Sequence, residues 1–335
     1  MNNWKQSLKL DKNRKYVFIA AAALFVAAAF LSLCLGAAHL TPMQLIRAIQ
    51  NGADGGFEGN IFWYVRLPRT LACLLAGAGL SVSGAVIQNV LANKLASPSI
   101  IGVNAGAGFA VTLCCACGIL GGWAIAGSAF VGALLAVLLV AMTAQKTGAS
   151  RTTVILGGVA INAFLNAASE AVTTLFPEVG IMSGDFRVGG FTSVTTERLL
   201  PAGILILASL IILFTFCNEL DLMNLGEETA QGLGLSVKKM RNLFLILAAL
   251  LAGASVSFAG LIGFIGLIIP HMARGLVGGE SRYLLPLCAI GGAAFVTLCD
   301  VAGRVLFQPY EMPVGILMAF IGGPFFVLLL LKRMI

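Results

Sequence analysis

The sequence predicts an all-α polytopic membrane protein of about ten transmembrane helices, one of them a short half-helix. Three observations predict it. The 335-residue chain is 59% hydrophobic and only 10% charged, far from the balance of a soluble domain. A run of 51 residues, Leu95 to Gln145, carries no charge at all. At about 1.5 Å per residue that run is roughly 77 Å of helix, enough to cross a hydrocarbon core about 30 Å thick twice. The 40 glycines, with many alanines and serines, suit helices whose backbones approach closely in a bilayer.

The spans follow in order. Lys5, Lys9, Lys12, Arg14 and Lys15 precede an uncharged 23-residue stretch, Tyr16–Ala38. It is too long for a typical signal-peptide core and reads as an uncleaved first helix. Thr70–Asn93 is the second span. Leu95–Gln145 supplies two more, breaking near Gly121 and Gly122, and Thr152–Ser169 and Leu199–Asn218 come next. Asn242–Ala273, 32 residues long, exceeds one crossing and falls short of two. Gly260, Gly263, Gly266 and Pro270 cluster in its second half, where a helix breaks. One full helix to about Phe258 and a half-helix from about Ile262 to Ala273 are therefore expected, an arrangement tolerated where it is buried in protein or lines a cavity. Tyr283–Cys299 and Met312–Leu331 complete the ten.

An even count puts both termini on one side. With the N-terminus inside, fifteen of the 21 lysines and arginines fall in cytoplasmic segments and six outside: Arg47, Arg66, Arg69, Arg187, Arg198 and Arg304. The positive-inside rule asks for this bias. The net charge of +7 is then an orientation signal, and nucleic acid is not an expected partner.

Two polar stretches exceed simple turns. The outer one, 177–198, is a gate, a docking loop or a connector. The inner one, 221–241, reads DLMNLGEETAQGLGLSVKKMR. There Glu227 and Glu228 open a short amphipathic stretch that Gly232 and Gly234 break before a second one begins. Two short helices on the cytoplasmic face would form a platform suited to docking another protein.

Chemistry of the chain's own is hard to find. No GxxxxGK[ST] phosphate loop occurs, so ATP is not held by that device. His39 and His271 are far apart, without HExxH or a similar cluster. Cys114 and Cys117 form a CxxC, but inside an apolar helix, where packing is the expected role of all eight cysteines. Glu170 and Asp300 are the acids nearest span interiors. Proton- or sodium-coupled carriers usually depend on intramembrane ionisable groups, so their scarcity favours energy supplied by a partner over a stand-alone secondary carrier or channel.

The stretch from Arg66 to Gly102, RLPRTLACLLAGAGLSVSGAVIQNVLANKLASPSIIG, resembles permeases of ABC importers for iron chelates, haem and vitamin B12. LGGVAINAFLNA (156–167), NLGEETAQGLGL (224–235), AGLIGFIGLIIPHMAR (259–274) and EMPVGILMAFIGGPFF (311–326) extend the resemblance in order along almost the whole chain. The resemblance implies a single permease domain in the bacterial inner membrane, both termini cytoplasmic, working as a homodimer or with a related permease. It also implies two cytoplasmic ABC ATPases and an extracytoplasmic substrate-binding protein. No cofactor belongs to this chain on that basis; ATP and Mg belong to the ATPase.

Residue roles follow from the same resemblance. Asn224, Leu225, Gly226, Glu227, Glu228, Ala230, Gly232, Leu233 and Gly234 correspond to the ATPase-coupling block. Arg66, Arg69 and Arg304 correspond to arginines that meet acids of the binding protein, or anchor helix ends at the headgroups. Asn93 and Leu95, with Thr152 and Thr153, correspond to the cytoplasmic gate. Gln88, Asn162, Asn166 and Gly315 are expected to line the pathway, between two copies of the helices near Thr152–Leu175 and Val314–Lys332. The sequence departs from the family pattern twice: Lys94 stands where a proline is usual, and FRVGGF (186–191) replaces a stretch that more often carries tryptophan and Gly-Ser.

Overall fold

A computed structural model describes residues 2–36, 41–52, 56–146 and 151–334, and the elements within them are helical. Among the described residues, seven helical segments are long and apolar enough to cross a membrane: Asn13–Cys34, Gly56–Val90, Gly122–Thr143, Thr152–Leu175, Thr196–Thr215, Val237–Ala259 and Ser281–Val305. Three shorter apolar helices, Val103–Ala116, Ile265–Val277 and Val314–Leu329, occupy the remaining expected spans.

In chain order, α1 (Asn2–Cys34) is followed by the short α2 (Pro42–Asn51) and α3 (Gly56–Asn60). A π-helical turn (Ile61–Arg66) then runs directly into α4 (Leu67–Val90). Neither α2 nor α3 was expected from hydrophobic windows. Thr41 nevertheless caps α2 with a reciprocal capping box to Gln44, and Pro42 sits in its first turn, a local start signal present in the sequence.

The charge-free run divides as α5 (Val103–Ala116) and α6 (Gly122–Lys146), with the break where Gly121 and Gly122 placed it. Its first eight residues do not join a helix: 91–102 is a string of turns. Then come α7 (Arg151–Leu175), α8 (Pro177–Met182), α9 (Gly184–Val188) and α10 (Thr196–Thr215). The inner polar stretch contains α11 (Cys217–Asn224) and α12 (Glu227–Gly232). The long window divides into α13 (Val237–Ala259) and the half-helix α14 (Ile265–Val277), with Gly260 at φ +70° and Phe264 at φ +65° in the break. The chain closes with α15 (Ser281–Val305) and α16 (Val314–Met334).

At the centre lies α4, packed against α13, α14 and α15. Small residues make this possible. A Cβ on Gly77 of α4 would lie 2.3 Å from the Gly292 carbonyl oxygen of α15, and one on Gly292 would lie 2.4 Å from the Gly77 oxygen. The two backbones touch, which no larger residue permits. Serines join the same interfaces: the Ser81 hydroxyl donates to the Cys288 carbonyl at 2.7 Å and the Ser83 hydroxyl to Ala248 at 2.7 Å. By contrast α1, α6 and α7 leave broad apolar faces uncovered, including Leu156 (63% exposed) and Phe164 (71%) on α7. Apolar faces of this extent require lipid or another protein surface.

Candidate functional site

The site has two ends and a wall. At the end of the bundle where α4 finishes and α15 begins, two short helices, α11 and α12, form a platform; the pair differs from the expected one, since α11 precedes Glu227 and the segment after Gly234 is the long α13. Gly226 at φ +105° turns the chain between them, and Gly234 at φ +86° turns it out of α12, conformations that favour glycine. Ala230 is fully buried and Met223 nearly so, pinning the pair to the bundle. Leu225 and Leu233, each 60% exposed, flank α12 on the outside, and Asn224, Glu228, Gly232 and Gly234 are exposed with them. Two corrections to the expected contact set follow. Ala230 faces inward and positions α12 rather than offering it a surface. Glu227 is ion-paired with Arg241 of α13, so its carboxylate braces the platform.

Beside the platform lies the turn segment 91–102, which carries Asn93 and Leu95 and is the gate turn expected from the sequence. Asn93 shapes it: its side-chain oxygen accepts from Leu95 N at 2.9 Å, and its backbone N donates to the Gln88 carbonyl at 3.0 Å. Ala92 takes φ +45° to make the reversal, and Lys94 is exposed. From α7, Asn162 donates to the carbonyls of Ser99 and Ile100, at 2.8 and 3.0 Å. Gly158 allows that approach, since a Cβ there would sit 2.3 Å from the Ile100 oxygen. Thr152 is exposed and Thr153 half-buried at the start of α7.

Among the residues expected to line a pathway, the structure separates two kinds. Asn166 is exposed on α7. Gly315 borders a cavity of about 600 Å³ together with Asn104, Arg187, Phe264 and Phe320. Its backbone N donates to the Gly189 carbonyl at 3.2 Å, so α16 is stitched to the segment after α9. Gln88 is different: it is 2% exposed inside the chain, its amide donating to the Gly266 carbonyl at 3.0 Å. It does not line an open path. Asn162 is half-buried and its amide is already occupied, so it too acts as a brace for the gate turn.

At the opposite end, the three arginines expected on an exposed docking surface are buried. Arg66, Arg69 and Arg304 are 4%, 8% and 2% exposed. Arg69 grips Asp300 through Nε, at 3.2 and 3.1 Å to its two oxygens, and through Nη2 at 2.9 Å; its Nη1 reaches Glu311 at 2.7 Å. Arg304 pairs with the same Asp300 at 3.1 Å. Arg66 and Arg304 both donate to the Leu35 carbonyl, one of the orphan acceptors where α1 ends. Cations suit that negative helix end. The three guanidinium groups are engaged within the chain and do not form the exposed surface that docking was expected to use. Sequence reasoning missed Glu311 as a partner. Asp300 carried a signal, an acid in an apolar span four residues before Arg304.

Among the described residues no group of His, Cys, Asp and Glu is arranged to hold a metal. His39 lies outside the described residues. Cys117 is exposed, Cys114 half-buried, and the other six cysteines are buried; all eight are free thiols.

A bundle of this kind, with a membrane-embedded broken helix and a two-helix platform, defines a polytopic membrane permease. The chain belongs to the FecCD transport family, whose model matches residues 24–332. It is thus a permease subunit of the ABC importer class. It is 34% identical over 333 residues to the Fe(3+)-citrate import system permease protein YfmE of Bacillus subtilis, covering 97% of this chain and 98% of that one. It is 36% identical over 323 residues to the vitamin B12 import system permease protein BtuC of Salmonella paratyphi A, covering 94% of each. A solved metal-chelate type ABC transporter in an inward-facing conformation superposes with a TM-score of 0.83 at 30% identity, covering 95% of this chain and 99% of that one.

Proposed function

We propose that this chain forms half of the membrane path of an importer for an iron chelate, a ferric siderophore or haem, in the bacterial inner membrane. A second copy of the chain completes the path along the exposed faces of α7 and α16. Two ABC ATPases, which hold ATP and Mg, dock beneath the platform, and a substrate-binding protein delivers cargo at the opposite end. Both chain termini lie on the ATPase side. Residues 221–241 act as the coupling segment of a single permease domain, and the chain hydrolyses nothing itself.

The observation that carries this reading is the platform. Leu225, Glu228 and Leu233 project from two short helices that belong to no span, and a pair of exposed leucines around a carboxylate is a surface built for a protein partner. A lone carrier has no use for it. Asp300, the buried carboxylate that a proton-coupled carrier would need, is taken up by two arginines. Among relatives, iron citrate and vitamin B12 are both named cargoes, so a corrinoid is the second reading for the substrate. Uptake of ferric citrate, ferric hydroxamate, haem and cobalamin by cells with and without this chain distinguishes them. Loss of cobalamin uptake alone would overturn the iron-chelate assignment. Leu225→Asp with Glu228→Lys should release the ATPase from the purified complex, and retention would overturn the docking role.

A further inference from the structure

Polar side chains run unbroken from the platform to the gate turn. Asp221 of α11 accepts twice from Ser281, the first residue of α15: from its backbone N at 2.9 Å and its hydroxyl at 2.6 Å. That hydroxyl in turn accepts from Asn89 Nδ2 of α4 at 3.2 Å. Asn89 Oδ1 accepts from Arg274 Nη2 of α14 at 2.9 Å, and the other arm of Arg274 donates to Gln88 Oε1. Gln88 then donates to the Gly266 carbonyl at the start of α14, while its own backbone carbonyl takes the amide of Asn93 in the gate turn.

Every member has one workable orientation. Reversing the Asn89 amide would set its NH2 against the Arg274 guanidinium, donor to donor; reversing Gln88 would do the same and turn an oxygen toward the Gly266 oxygen. Buried polar chains of this kind are worth keeping only when fully satisfied, and this one is.

Arg274 is the unusual member. It is half-buried, and among the described residues no carboxylate lies within ion-pair distance of it. Two neutral amides hold it instead, near the C-terminal end of α14, whose carbonyls favour a cation. Amide partners bind an arginine less tightly than carboxylates do, so its fork can shift without separating opposite charges. Nearby, α14 and α4 meet without side chains between them: a Cβ on Gly84 would lie 1.9 Å from the Gly266 oxygen.

We propose that Asp221, Ser281, Asn89, Arg274 and Gln88 form a positioning relay that sets the gate turn at Asn93 and Leu95 by the position of the platform. Displacement of α11 pulls the first turn of α15 through Asp221 and Ser281. Asn89 passes the shift to the Arg274 fork, and Gln88 delivers it to the gate turn and to the tip of the half-helix together. The relay rests on the importer reading above, because it needs an ATPase to move the platform.

The test uses the permease assembled with its ATPase in lipid nanodiscs. The eight native cysteines are replaced and Leu95→Cys supplies a single thiol, labelled by a water-soluble maleimide in ATP-free and vanadate-trapped states. The parent should show a change in labelling rate of about tenfold between the two states, within the usual range of site-to-site coupling. Ser281→Ala should keep ATP hydrolysis within about twofold while shrinking the labelling change to less than about twofold. Ser281→Thr, which keeps the hydroxyl, should restore it. Arg274→Lys keeps the charge but cannot fork to two amides, and should lose the labelling change as Ser281→Ala does. A full labelling change in both Ser281→Ala and Arg274→Lys would overturn the relay. An assembled parent that hydrolyses no ATP, or shows no change at residue 95, would overturn the importer or gate assignment and the relay with it.

Discussion

Asn162 of α7 holds the carbonyl of Ser99 at 2.8 Å, and with it the outer half of the gate turn. The contact joins a helix with a broad exposed apolar face to a segment that has no helix of its own. Replacing Asn162 by leucine would leave two carbonyls, those of Ser99 and Ile100, without this donor. We expect faster amide exchange across residues 96–102 with little change in α4, read by hydrogen-exchange mass spectrometry. Unchanged exchange there would show that Gly158 packing alone secures the turn.

The same geometry sets the order of reactivity along α7. Asn166→Cys, at an exposed position, should be modified by a water-soluble thiol reagent much faster than Asn162→Cys, which is half-buried under the gate turn. Equal rates at the two positions would mean that the turn lifts away from α7 in the assembled protein.

The buried charge cluster predicts a folding defect rather than a docking defect. Asp300→Asn leaves Arg69 and Arg304 without their shared carboxylate, and breaking a buried pair in this way costs about 3–5 kcal/mol. The expected readout is a large drop in the unfolding temperature of the detergent-solubilised permease. Glu311→Gln, at the part-exposed edge of the cluster, should cost much less. A stable Asp300→Asn protein would show that the cluster is not structural.

Gly77→Val would drive a branched side chain into the Gly292 backbone, and overpacking of this kind costs about 1–3 kcal/mol. Gly275→Ala on α14, where nothing lies within 4 Å of the added carbon, is the control. The first should lower the yield of folded protein and the second should leave it unchanged.

Thiol chemistry separates Cys217 from Cys117. Burial pushes the Cys217 thiol above its usual range, and the carboxylates of Asp221 and Glu219 push it further, against Arg282. A raised thiol becomes thiolate only at higher pH. Labelling of Cys217 should therefore need a higher pH than labelling of exposed Cys117, read by mass spectrometry of single-cysteine proteins. Reaction of both at the same pH would mean that α11 opens freely.

Much of this architecture is legible in the sequence because the bilayer imposes a simple code. Length and lack of charge located the spans, and Gly260 and Gly263 located the broken helix to within a few residues, whereas Gly266 and Pro270, also expected to break it, lie inside α14. Gly232 and Gly234 marked the end of α12, but the other short helix, α11, lies before Gly226, and the chain after Gly234 enters the long α13. What escaped depends on partners distant in sequence. Arg66, Arg69 and Arg304 sit at helix ends, where surface exposure is the natural expectation, and only packing brings Asp300 and Glu311 to them. Gln88 looked like a polar lining residue for the same reason; its partners, Gly266 and Arg274, belong to a helix nearly two hundred residues later. Hydrophobic windows also passed over α2 and α3, although the Thr41 capping box marked the start of α2.

The pairing of Arg69 with Asp300 spans 231 residues of chain. A ribosome adding about 5–20 residues per second needs roughly ten to fifty seconds to cover that distance. Throughout that interval α1 and α4 are present with two cations, Arg66 and Arg69, near their ends, and Asp300, the carboxylate that pairs with Arg69, has not yet been made. The N-terminal half therefore waits, its charges held at the lipid headgroups or by insertion machinery, until α15 arrives to close the bundle. Assembly of this permease ends with a charge that completes a site begun at its first helix, so nascent chains that stop short of residue 300 should be recognised as unfinished and degraded.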